Sequence, residues 1–141
     1  MAKFVVDANV AIKWVIPEVY TNIALRLLDD DSNLLLVPDF FFPEIGNILW
    51  KRVRRGELTL EQAKENLAEL KTVNLQICAS EPLISSALEI ATRVNQAVYD
   101  CVYLTLAINH QCSMVTADER FVNATRNDIF SSSICWIEDL P

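Results

Sequence analysis

Five short apolar runs constrain this chain most, because each is too brief for a buried helix and each is separated from the next by helix-patterned sequence. They are "KFVV" near the start, "LLLV" at 34–37, "NLQIC" at 74–78, "SMVT" at 113–116 and "SICWI" at 133–137. NLQIC has the least strand character of the five. Between them, "ANVAIKWVI" predicts a short helix stopped at Pro17. Residues 20–29 carry Ile23, Ala24, Leu27 and Leu28 at helical spacing, and "DDDSN" at 29–33 reads as a turn. Residues 39–55 read as a helix whose start is blurred by Pro43. After Gly56, "LTLEQAKENLAELK" puts Leu60, Ala63, Leu67 and Leu70 on one face behind a Thr59 cap. Residues 81–95 repeat the pattern through Ile84, Ala87, Leu88 and Ala91. "YDCVYLTLAIN" at 99–109 is apolar nearly all round, as a buried helix is, and "DERFVNAT" predicts a short helix. Strands alternating with helices require crossover connections and a parallel sheet covered on both faces. The expected class is therefore α/β, as one domain over residues 1–141, with its functional crevice outside the carboxyl ends of the strands.

Several chemistries are excluded by what the chain lacks. With only Gly46 and Gly56 it can build neither G-x-G-x-x-G nor a P-loop, and it has no G-x-S-x-G. His110 is the sole histidine, so multi-histidine zinc sites are ruled out; it reads as a helix-end residue in "AINHQCS". Cys78, Cys101, Cys112 and Cys135 form no C-x-x-C pair and lie in or beside apolar segments, so they read as buried reduced thiols. Hydrophobic residues reach 52%, yet no run approaches the ~20 residues of a membrane span. Asp7 and Lys13 interrupt the first apolar runs, so no signal peptide is expected and the cytoplasm is the expected location. Net charge is 12 − 19 = −7, unlike a protein that coats nucleic acid over its whole surface. Four of the twelve basic residues nevertheless cluster in "KRVRR" at 51–55, which reads first as a helix C-terminal turn complementing the dipole.

Four acids occupy positions that solvation alone does not explain. Asp7 and Asp118 each follow a strand at its carboxyl end, where either could cap the next helix. Glu44 stands in "FFFPEIGNILW" and Asp100 opens the most apolar helix of the chain, although a buried acid is rare without a partner. No matching buried lysine or arginine accompanies them. Two carboxylates ~4 Å apart repel by about 1 kcal/mol in water and about 4 kcal/mol at an effective dielectric of 20. Were the four to converge, they would require bound positive charge, and an all-oxygen, histidine-free set suits Mg²⁺ or Mn²⁺.

The stretches "VVDANVAIKWVIPE", "PEIGNILWKRVRRGELT", "VYDCVYLTLA" and "VTADERF" resemble, in order, the four acidic motifs of PIN-domain proteins, nearest to the VapC-type toxins. The resemblance covers essentially the whole chain. It implies a PIN-like three-layer sandwich with a central parallel sheet of about five strands, and an acidic cluster of Asp7, Glu44, Asp100 and Asp118. Asn9 and Thr116 stand where relatives carry small polar residues near the site. It further implies a Mg²⁺- or Mn²⁺-dependent ribonuclease leaving 5′-phosphate and 3′-hydroxyl ends, a homodimer, and a cognate antitoxin that covers an apolar groove and the site. On that expectation KRVRR gains weight as a local contact for the RNA backbone, the antitoxin or the dimer partner. A haloacid-dehalogenase-like phosphatase would need an acid where Asn9 stands, and a phospho-receiver would need an aspartate after the third strand. The remaining rival is a PIN-like module that binds RNA or protein without cutting.

Overall fold

The computed structural model describes residues 2–141. A five-stranded sheet runs through its centre in the order β3-β2-β1-β4-β5. The strands are β1 (Lys3–Val6), β2 (Leu34–Pro38), β3 (Gln76–Cys78), β4 (Ser113–Thr116) and β5 (Ile134–Trp136). All pairings are parallel, with Val5 beside both Leu36 and Met114, and Thr116 beside Trp136. Alternation along the strands feeds two cores. Val5, Leu36 and Met114 enter one with Ala87, Ile90, Leu104 and Phe121. Val6, Leu35, Val37 and Val115 enter the other with Val10, Phe41, Ile45 and Leu49. Each such side chain contributes about 1.5–3 kcal/mol when fully buried, which is why the strands read as continuous apolar runs.

Among the described residues, seven α-helices cover the sheet: α1 (Ala8–Ala11), α2 (Thr21–Ala24), α3 (Phe41–Arg54), α4 (Leu60–Leu70), α5 (Ile84–Val94), α6 (Val98–Asn109) and α7 (Glu119–Thr125). The three-layer α/β architecture expected from the sequence is present. Differences lie at the element ends. The helix after β1 is one α turn continued by a 3₁₀ turn over Ile12–Trp14, and α2 likewise passes into a 3₁₀ turn over Leu25–Leu28. The Trp14 indole N–H donates to the Ala24 carbonyl at 2.9 Å, locking these short pieces together. Pro43 does not delay α3, because it falls in the first turn, where a backbone N–H has no intrahelical acceptor. Strand β3 spans only three residues, and β5 is one residue shorter at each end than "SICWI" suggests.

The buried stripe of α5 is Leu83, Ala87, Ile90 and Ala91, whereas Ile84 and Leu88 are 41% and 55% exposed. A preceding 3₁₀ turn, Glu81–Leu83, delivers Leu83 to the core and rotates Ile84 outward. The Thr59 cap is completed into a capping box: Thr59 Oγ1 accepts from the Gln62 N–H at 3.1 Å and Gln62 Oε1 from the Thr59 N–H at 2.9 Å. All four cysteines are free thiols, with Cys101 buried and the other three half-buried. His110 ends α6, as expected, and its carbonyl accepts from Lys3 Nζ at 3.1 Å. Among the described residues no helix is long and apolar enough to cross a membrane.

The KRVRR cluster is the last turn of α3, and much of it is engaged. Arg52 pairs with Glu18 and, at 3.4 Å, with Glu57, while Lys13 reaches Glu18 at 3.0 Å. The Arg54 guanidinium lies 4.6 Å from the Trp50 ring centroid. Trp50 and Leu60 are 53% and 58% exposed, and with Gly46, Val53 and Leu67 they line an apolar groove of about 210 Å³ between α3 and α4. Leu60 therefore lines this groove instead of closing the core. A Cβ built at Gly46 meets nothing within 4 Å. Replacing a helical glycine in open space restricts the unfolded chain at no steric cost, so Gly46→Ala should stabilise the protein by about 0.5–1 kcal/mol. Urea unfolding checks this; a lower midpoint would mean that the helix is not regular there.

Candidate active site

The four acids come from four elements at the carboxyl edge of the sheet, near enough for the charges of the other three to act on Asp7. Asp7 ends β1, Glu44 lies in the first turn of α3, Asp100 in the first turn of α6, and Asp118 precedes α7 just beyond β4. From β1 the chain builds β2 and β3 to one side and then returns to lay β4 and β5 on the other. Strands β1 and β4 thus flank the switch point, the place where an open parallel sheet leaves a crevice.

Asp7 is 4% exposed, and its backbone N–H continues the ladder by donating to the Val115 carbonyl at 3.1 Å. Its carbonyl starts α1, but its side chain caps nothing. Instead Asp7 Oδ2 accepts the Thr116 hydroxyl at 2.9 Å, and the same hydroxyl oxygen accepts the Asp118 N–H at 3.1 Å. Asp118 does cap its helix, with Oδ1 accepting from the Phe121 N–H at 3.2 Å. Asn9 Oδ1 accepts from the Ala117 N–H at 3.1 Å. Asn9 and Thr116, read from sequence only as neighbours of the site, therefore tie the turn after β4 to the turn after β1. Glu44 Oε1 accepts the Tyr103 hydroxyl at 2.7 Å. The position of Tyr103 three residues after Asp100, on the same helical face, is the sequence signal that links it to the acids.

The electrostatics record the convergence. Burial, reinforced by the charges of Asp100, Glu44 and Asp118, raises the Asp7 pKa from 3.8 to about 8, with the Thr116 hydrogen bond opposing. Burial and then Asp118 raise Asp100 from 3.8 to about 6. Glu44 is raised by burial and by Asp100, against the Tyr103 hydrogen bond. Burial, together with the Asp7 and Glu44 charges, drives the Tyr103 phenol far upward, so it remains a donor. Among the described residues the ion pairs join Lys13, Arg52 and Arg93 to Glu18, Glu57 and Asp128, and none reaches the four acids. The donor set is all carboxylate, in mutual repulsion and without a protein cation, which fits Mg²⁺ or Mn²⁺. Among the described residues no three acidic, histidine or cysteine side chains are drawn close enough to enclose an ion by themselves. The fit is thus one of charge and ligand type.

Residues 4–127 match the family model of the PIN domain. The chain belongs to the PIN-domain family. Ribonuclease VapC3 of Pyrobaculum aerophilum is 29% identical over 120 residues, which is 84% of this chain and 91% of that protein. The crystal structure of PAE2754 from Pyrobaculum aerophilum superposes with a TM-score of 0.69 at 20% identity, covering 94% of this chain and 83% of that one. A toxin–antitoxin complex from Klebsiella pneumoniae gives 0.62 at 14% identity, over 97% and 98%. These solved structures share the fold just described.

A carboxyl that holds its proton more tightly folded than unfolded makes the folded state bind more protons between the two pKa values, so stability falls as pH rises through that interval. In EDTA, the urea midpoint should therefore fall from the ordinary carboxylate value of 3.8 up to about 8, with Asp100 contributing only as far as about 6. Asp7→Asn, which keeps an acceptor for Thr116, should flatten the upper part of that decline and be the more stable form at pH 8. A native midpoint independent of pH between 6 and 8 would contradict the buried-charge account.

Proposed function

We propose that this chain is a divalent-metal-dependent ribonuclease that hydrolyses RNA phosphodiester bonds, as the toxin member of a type II toxin–antitoxin pair. The observation that carries this reading is that the charges of Glu44, Asp100 and Asp118 all act on buried Asp7, beside the switch point of a PIN-family sheet. The similarity to Ribonuclease VapC3 supports RNA as the substrate. Structural likeness to a toxin–antitoxin complex and to VapBC2 of Rickettsia felis bound to a promoter DNA fragment supports an antitoxin partner.

In this mechanism Asp7, Asp100, Asp118 and Glu44 would hold Mg²⁺ or Mn²⁺. When bound, such an ion lowers the pKa of a water and offsets charge on the phosphate and the departing 3′-oxygen. The chain's own residues prepare the site for it. Burial of Asp7 removes competing solvent and strengthens every charge interaction there. Thr116 fixes the Asp7 carboxylate, and its hydroxyl is already committed as donor to Asp7 and acceptor from the Asp118 N–H. It is therefore unsuited to nucleophilic attack, and water is the nucleophile. Asp118 uses one oxygen to cap α7 and leaves the other for the site. Burial and the neighbouring acids favour the protonated form of Asp7, so an ion held there would compete with that proton and would be favoured by higher pH. The same reading includes a homodimer, a cytoplasmic location, and an antitoxin segment covering the groove between α3 and α4.

The test is cleavage of a mixed RNA pool by purified protein with Mg²⁺ or Mn²⁺, beside EDTA and a folded Asp7→Asn variant. Cutting should stop in EDTA. In Asp7→Asn it should fall by more than the roughly 10–100-fold typical of losing an outer-shell partner. Absence of cutting with either metal, from folded and inhibitor-free protein, would favour a PIN-like module that binds without cleaving.

A further inference from the structure

We infer that Tyr103 is a positioning residue that aims Glu44 into the acidic site through its hydroxyl group. The inference rests on the metal-dependent reading above and extends it to a residue outside the four acids. Tyr103 lies on α6 three residues beyond Asp100, with its side chain fully buried. Its hydroxyl donates to Glu44 Oε1 at 2.7 Å, across 59 residues of sequence. Phe40, immediately before α3, packs edge-on against both Tyr99 and Tyr103, with ring centroids 5.3 and 5.7 Å apart. The start of α3 and the first turns of α6 are thus fastened by three rings and one hydrogen bond. Glu44 and Asp100 consequently hold their places relative to each other.

A buried phenol needs an acceptor, and a backbone carbonyl would serve for packing alone. Here the acceptor is one of the four converging acids. Glutamate has three rotatable side-chain bonds, so its carboxylate reaches a defined point only when something holds it, and site ligands require placement to within about 0.5 Å. A tyrosine hydroxyl holds one oxygen of Glu44 and leaves Oε2 for the site. It also adds no positive charge, whereas arginine or lysine in the same place would compete with a bound cation.

The test is Mn²⁺ binding to the full chain, followed by calorimetry and by the electron paramagnetic resonance of free Mn²⁺. Tyr103→Phe removes one oxygen from a filled position, and its unfolding midpoint in EDTA serves as the folding control. It should bind Mn²⁺ about 10–100-fold more weakly. Glu44→Ala and Glu44→Ala/Tyr103→Phe should then bind alike, because the hydroxyl acts only through Glu44. A purely structural role predicts the same loss in both backgrounds, and that result, or native affinity in Tyr103→Phe, overturns the inference. If Asp7→Asn abolishes binding while Tyr103→Phe preserves it, only the role of Tyr103 falls. If the native chain binds Mn²⁺ no better than Asp7→Asn, the metal-dependent reading falls with it.

Discussion

The Asp7 carboxylate is held out of water at the end of the central strand, and much of the architecture follows from that placement. Strand β1 lies between β2 and β4, so a residue just past its end is enclosed by both neighbours and by helices on either face. Its side chain receives one protein hydrogen bond, from Thr116, while three other acids act on it. Such a group is unfavourable in isolation. The surrounding structure tolerates it because the two cores on either side of the sheet are densely apolar and hold the crevice walls in place. Natural proteins accept local instability of this kind where function requires it.

The same constraint accounts for α6. A helix apolar around its whole circumference must be covered on all sides, and Cys101 through Ala107 are all buried. It packs against α5 and the sheet, so its first turn points into the crevice between strands. Asp100 therefore lies where a charge is costly, and Tyr103 is fully enclosed beside it. In α3 the buried stripe Phe41, Ile45 and Leu49 faces the core, and Glu44 flanks it at the edge nearest α6. Two helices from opposite faces of the sheet thus bring their acids together over its carboxyl edge.

Asp7 and Asp118 were readable in sequence because adjacency to a strand end is a local signal, and the parallel arrangement converts it into a position. Glu44 and Asp100 were readable only as charges in apolar surroundings. The partnership of Tyr103 with Glu44 has no local signature, since a tyrosine in an apolar helix looks like core and its acceptor is 59 residues distant. The two candidate capping acids also divided in a way that spacing could not settle: Asp118 caps α7, and Asp7 caps nothing. The break-up of the helices after β1 into α and 3₁₀ turns depends on tertiary contacts such as Trp14 to Ala24, which leave no periodic trace.

The basic cluster shows how tertiary pairing changes a count of charges. In sequence, KRVRR offers four cations to any anionic partner. In the fold, Arg52 is shared between Glu18 and Glu57, while Lys51, Arg54 and Arg55 are exposed, Arg54 lying against Trp50. Lys13 is buried and also committed to Glu18. Backbone neutralisation by lysine and arginine supplies most of the affinity in non-specific nucleic-acid binding, and it scales with the number of phosphates contacted. A chain of net charge −7 whose basic cluster is partly paired has less of that affinity available than the count of cations suggests. On the proposed reading, a divalent ion held at the acidic edge would supply part of the positive charge that the paired cluster does not.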